Sequence, residues 1–174
     1  YIEVFLEKDA LASVLYPVTA EWDVPLMVTR GFSSLTFLYN AAEVMKQQRA
    51  LGKDCHILTM YDFDASGQIA GQKVGETISE LAGFEVQVSN LAVTLDQIRE
   101  MNLQTRDAKK ADFQKGWKHD FSCELDAIDP DQLQQILTDA IEDLADHDHL
   151  NTVRAIEEAE QEALDEFVAN FRSA

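Results

Sequence analysis

His56-Ile57-Leu58-Thr59-Met60-Tyr61-Asp62-Phe63-Asp64-Ala65-Ser66-Gly67 is an apolar run that opens into a D-x-D-x-x-G string. Its apolar half reads as a buried strand closed by a glycine-containing turn. Ile2-Glu3-Val4-Phe5-Leu6 is a second such run, and Glu7 follows it as Asp62 follows Tyr61. In an open α/β sheet, side chains just past the strand C-termini meet in the crevice where ligands bind. Clustered carboxylates repel one another, which raises the cost of ionisation unless a cation lies among them. A hard divalent ion, most often Mg²⁺, is the usual neutraliser of oxygen-only donors. Glu7, Asp62 and Asp64 therefore point to metal-assisted phosphate chemistry.

Working outward, the first two-thirds of the chain alternates apolar runs with amphipathic stretches, the pattern of an α/β sheet with crossover helices. Asp9 is placed to cap a helix over about 10–22, with Leu11, Val14, Leu15 and Val18 on its buried face. Leu26–Thr29 reads as a short second strand. After Gly31, Ser33 or Ser34 opens a long helix with Leu35, Leu38, Ala42 and Met45 inward, and Gly52 ends it. His56–Tyr61 is the third strand, 69–81 the next helix, Gly83 its stop, and 85–91 a fourth strand in which Val86 and Val88 alternate with polar neighbours. Thr94 and Gln97 have capping-box spacing. A polar connection covers 102–121, and Phe121–Leu125 is one more strand candidate. Asp129-Pro130 opens a clear helix, and a last one over about 150–171 carries Val153, Ile156, Leu164, Phe167 and Phe171 on one stripe.

The 174 residues fit one domain, with a core over about 1–92 and a C-terminal extension over about 93–174. No run is long and apolar enough to span a membrane. A start at Tyr1 inside a core strand suggests a piece of a longer protein. Cys55 and Cys123 are too few and too far apart for a disulfide framework, so they read as buried thiols in a reducing, cytoplasmic setting. The formal charge of −18 is uneven. Residues 123–174 carry 15 acidic side chains and two basic ones, Arg154 and Arg172. Such acidity opposes non-specific contact with nucleic acid, so any contact must be local, metal-bridged or supported by another domain.

Glu7-Lys8-Asp9 after a strand, then Val24-Pro25-Leu26-Met27-Val28-Thr29-Arg30-Gly31-Phe32, then Asp62-Phe63-Asp64-Ala65-Ser66-Gly67, resembles a TOPRIM domain. Within that superfamily the wording is most similar to the A subunit of type IIB topoisomerases (topoisomerase VI) and its meiotic double-strand-break relatives, in a bacterial or phage-associated branch. The resemblance covers about 2–92 and continues loosely through 94–103 and 124–127. It implies a TOPRIM-like, mostly parallel central sheet flanked by helices. It also implies that Glu7, Asp62 and Asp64 bind one or two Mg²⁺ ions beside a scissile phosphodiester of DNA, with Glu7 as an alternative proton shuttle. Lys8 and Arg30 are further catalytic candidates. Arg30 and Gly67 are phosphate-binding candidates, Gly67 because it permits close backbone approach at a helix N-terminus. Salt bridges to nearby acids are an equal reading of Lys8 and Arg30.

In the relatives the tyrosine nucleophile lies on a separate, upstream winged-helix domain. Tyr1, Tyr16, Tyr39 and Tyr61 all fall in or beside predicted core elements and have no neighbouring base to activate them. The expected partners are thus DNA, an upstream winged-helix domain and a second copy of the chain, and the expected activity is topoisomerase-like cleavage or metal-dependent nuclease hydrolysis. Arg99, Arg106, Lys109, Lys110, Lys115 and Lys118, near Trp117 and His119, form the only basic concentration. Five interleaved acids favour a solvated loop over a nucleic-acid contact there. Glu124 and Asp126 read as helix-approach residues before extensions of the metal site. His147 and His149 lack a second ligand pair with zinc spacing. The competing reading is a non-catalytic interaction module whose acidic helical tail docks a basic partner. A response-regulator-like receiver fits the placement of Glu7 and the D-x-D turn less well.

Overall fold

The computed structural model describes residues 1–29 and 34–172, excluding the side chains of 147–150, 154, 166 and 169–172. The chain divides into two compact units, Tyr1–Ala140 and Ile141–Ala174.

The first unit is an α/β fold around a four-stranded parallel sheet. In chain order its elements are β1 (Ile2–Leu6), α1 (Ala12–Glu21), β2 (Leu26–Val28), α2 (Leu35–Ala50), β3 (His56–Met60), α3 (Ala65–Ala82) and β4 (Gln87–Ala92). Next come α4 (Leu95–Glu100), β5 (Arg106–Asp107), α5 (Lys110–Gln114), β6 (Phe121–Ser122) and α6 (Pro130–Leu144), the last running on into the second unit. The second unit is chiefly the long helix α7 (His147–Arg172).

Strand order is β2-β1-β3-β4, all parallel, and Leu6 pairs with both Val28 and Met60. Phe5, Ile57 and Tyr61 pack with Leu38, Met45, Val74 and Ile78 of α2 and α3 on one face of this sheet. Val4, Leu6, Leu58 and Met60, of the opposite parity, are equally buried. Both faces of the two central strands, β1 and β3, are therefore covered, and these two read as continuous apolar runs for that reason, whereas the edge strand β4 is mostly exposed and polar.

Several local signals work as their chemistry dictates. Ser34 caps α2 by accepting the Phe37 N–H at 3.3 Å. Gly83 closes α3 in a left-handed conformation, φ 78°. Thr94 and Gln97 form the reciprocal capping box of α4. Asp129 accepts the Asp131 N–H at 2.9 Å where α6 begins. Ser33 lies outside the described residues.

Other signals gave way to packing. A 3₁₀ turn over Asp9–Leu11 precedes α1, and Leu11, not Asp9, holds its N-cap position. Leu35 and Val88 are exposed. Leu35 sits on the first turn of α2, and Val88 lies on an edge strand with a partner on one side only. Tyr16 and Tyr39 are also exposed, on the outer faces of α1 and α2, so of the four tyrosines only Tyr61 is fully buried. Phe121 and Ser122 form a strand, but in a separate two-stranded antiparallel sheet with Arg106 and Asp107.

Candidate functional site

The strand order decides where the acids meet. From β1 the chain crosses to β2 on one side, and from β3 it crosses to β4 on the other. The switch point of the sheet therefore lies between the C-terminal ends of β1 and β3, where α/β sheets open a ligand crevice. Glu7 and Asp62 leave the sheet at those two ends. The Glu7 N–H donates to the Met60 carbonyl at 3.1 Å, and Glu7 Oε2 accepts the Asp62 N–H at 3.0 Å. Asp64 is the N-cap of α3, and its Oδ1 accepts the Gly67 N–H at 2.8 Å. Asp62 Oδ1 accepts the Leu125 N–H at 2.7 Å. Burial of the site raises the Glu7 carboxyl above its ordinary range; the Asp62 N–H opposes the rise, and the charges of Asp62 and Asp64 add to it. Burial raises Asp62 as well, against the Leu125 N–H and Lys8, and with Asp64 and Glu124.

Gly67 is held to its identity by contact. A Cβ there would run into the Asp62 carbonyl oxygen and approach Glu7 Oε2 at 3.0 Å. The close approach expected at this glycine is thus an approach of the chain's own strand end and carboxylate.

Lys8 points across the crevice. Its Nζ lies 3.6 Å from Asp62 Oδ1 and donates to Glu124 Oε2 and Asp126 Oδ1, each at 3.0 Å. Burial pulls the ammonium's pKa down, but the bonds to Asp126 and Glu124 outweigh it and leave the group raised. Arg106 pairs with the other oxygen of Glu124. Glu124 and Asp126 are therefore members of the site, not only residues approaching a helix. Sequence spacing carries no signal for this, since the partners lie more than a hundred residues from Lys8.

The D-x-D turn is also clamped from outside. Phe63 and Cys123 exchange backbone hydrogen bonds at 2.8 and 3.1 Å. The Phe63 ring packs edge-on to Trp117 with centroids 4.9 Å apart and lies 5.2 Å from His119 and 6.1 Å from Phe121. Lys115 Nζ donates to Ser66 Oγ at 2.6 Å. The downstream polar connection is thus folded against the acidic turn.

Arg30 lies outside the described residues, as do the side chains of His147 and His149. Tyr61 lies beside Glu7. Its buried phenol bonds Thr29 Oγ1 at 2.8 Å, and burial, opposed by that bond and reinforced by the Glu7 charge, pushes its pKa up to about 12. Such a phenol is a poor nucleophile.

The carboxylates suit a hard divalent cation in kind, since they offer only oxygens. Among the described residues no group of three or more His, Cys, Asp or Glu is arranged to hold a metal ion.

Fold and site together define an α/β protein with an acidic crevice at the switch point of a parallel sheet. Comparison with known protein families, with curated proteins and with solved structures finds no match for the chain.

Proposed function

We propose that this chain is a TOPRIM-type domain that binds Mg²⁺ and supplies the metal and phosphate half of a DNA-processing centre, resembling the A subunit of topoisomerase VI. The observation that supports this reading is the meeting of Glu7 with the Asp62–Asp64 turn across the β1/β3 switch point, joined by the Glu7 Oε2 to Asp62 N–H bond. Glu7, Asp62 and Asp64 would hold the ion. When bound, it would offset charge on phosphodiester oxygens and on the leaving oxygen. The chain's own residues orient and neutralise. Leu125 and Gly67 fix Asp62 and Asp64 through their N–H groups, and Lys8 balances the charge of Asp62, Glu124 and Asp126. Tyr61 is buried and bonded, and in the type IIB topoisomerases that this reading invokes the tyrosine nucleophile comes from a separate domain.

Thermal unfolding tests the reading. Mg²⁺ at about ten times its Kd stabilises a protein by roughly 1.4 kcal/mol, a rise of about 3–6 °C for a domain of this size. We expect that rise over a NaCl control of equal ionic strength, and its loss in the Asp62→Asn, Asp64→Asn double variant. A wild-type chain indifferent to millimolar Mg²⁺ overturns the proposal.

A second reading, an interaction module, is favoured by one feature of the second unit. Helix α7 leaves Ile156, Leu164 and Val168 exposed beside a run of acids.

A further inference from the structure

The segment Arg106–His119 carries five basic side chains, Arg106, Lys109, Lys110, Lys115 and Lys118, against two acidic ones, Asp107 and Asp112. In a chain of formal charge −18 this is a local reversal of sign. The fold sharpens the reversal. Asp112 is 3% exposed, and its Oδ2 turns inward to accept the Lys109 N–H at 3.0 Å. All five basic side chains are exposed, and Lys109, Lys110 and Lys118 form no ion pair among the described residues. Phe113, on the same short helix α5, is half exposed at 51%.

The segment is also held in place. Trp117 and His119 pack on Phe63, the middle residue of the D-x-D turn, and Trp117 Nε1 donates to the Phe121 carbonyl at 2.9 Å. Ala108 N–H donates to the Asp120 carbonyl at 2.8 Å, which closes the segment's base. Lys115 reaches Ser66, two residues beyond Asp64. Exposed ammonium groups and an exposed aromatic ring are thus fixed on the rim of the acidic crevice, where alone the acids would repel a polyanion.

We infer that the exposed face of Arg106–Lys118 is a DNA-binding surface that holds the phosphate backbone of a duplex beside the Glu7–Asp62–Asp64 crevice. The assignment rests on the proposed DNA chemistry of that crevice for its partner, and on charge and placement for its location. Recognition is of backbone phosphates by lysine, so it carries no sequence preference of its own and weakens steeply with salt.

The test is fluorescence anisotropy of a fluorescein-labelled duplex about two helical turns long, titrated with the full chain at about 50 to 200 mM salt. Neutralising Lys109, Lys110 and Lys118 together to Gln should weaken binding by about tenfold or more and reduce the slope of log K against log salt by roughly two to three. A control with Lys46→Gln and Lys53→Gln, which changes net charge far from the segment, should leave affinity within about twofold. Circular dichroism and the melting temperature verify that each variant folds. Equal affinity of the triple variant and wild type, an equal loss in the control, or no duplex binding at the lowest salt overturns the inference. A Mg²⁺-dependent melting shift that survives in a chain whose DNA binding ignores the three lysines defeats this inference alone. Lysine-dependent DNA binding without any Mg²⁺ shift defeats the metal reading alone.

Discussion

The Glu3 carboxyl is fully buried on β1, where the Tyr1 hydroxyl donates to Oε1 at 2.9 Å and Oε2 has no partner among the described residues. Burial, opposed by the Tyr1 bond, raises its pKa from 4.5 to about 7. A carboxyl that binds its proton more tightly when folded favours the folded state fully below the unfolded value. That advantage is lost as pH rises from about 4.5 through about 7. The raised Glu7 and Asp62 act with the same sign. We expect urea unfolding to show lower stability at about pH 8 than at about pH 5, with Glu3 contributing on the order of 3 kcal/mol to the difference. The isosteric Glu3→Gln should flatten that slope and be the more stable form at about pH 8. An unchanged slope would mean that Glu3 is already ionised in the folded protein.

Helix α3 is the element that brings the acidic turn onto the sheet, and its glycines set how closely it lies. A Cβ at Gly75 would overlap Val88 Cγ2 on β4, whereas at Gly67 it would overlap the Asp62 backbone carbonyl. The obstacle is a side chain in one case and the main chain in the other. Gly75→Ala should therefore cost about 1–3 kcal/mol from overpacking and recover most of it in combination with Val88→Ala. Gly67→Ala has no such partner to trim, so it should cost at least as much and also abolish the Mg²⁺-dependent melting shift. Denaturant midpoints of the single and double variants measure the coupling, and strictly additive Gly75 and Val88 effects would refute the contact.

At the scale of the whole molecule both units are acidic, with 22 acidic and 12 basic side chains in residues 1–140 and ten and two in residues 141–174. The strongly acidic stretch from 123 onward includes all of α7, while the basic segment lies in the first unit. If α7 serves as a docking helix, partner capture should fall in an Ile156→Ser, Leu164→Ser variant and weaken with added salt. It should be indifferent to Asp62→Asn. Capture that depends on Asp62 and ignores α7 would remove that reading.

Much of this was legible in the chain itself. Apolar runs alternating with helical stretches announced the sheet, and the two central strands, β1 and β3, read most clearly because strands buried on both faces must be apolar almost throughout. Glu7 and Asp62, each directly after such a run, were placed at strand ends by the same logic. Gly83, Ser34 and the Thr94–Gln97 pair marked helix boundaries because capping is local chemistry. Local chemistry failed where burial depends on distant neighbours: Leu35, Val88, Tyr16 and Tyr39 are exposed despite their apolar or aromatic character, and Asp9 was displaced from its cap by a 3₁₀ turn. The sequence by itself determined the sheet, its strand-end carboxylates and the local excess of lysine. Only the tertiary structure placed Glu124 and Asp126 on Lys8 and packed Trp117 and His119 against Phe63. Those contacts join segments far apart along the chain, where no helical or strand period links the partners and only the closing of the fold brings them together.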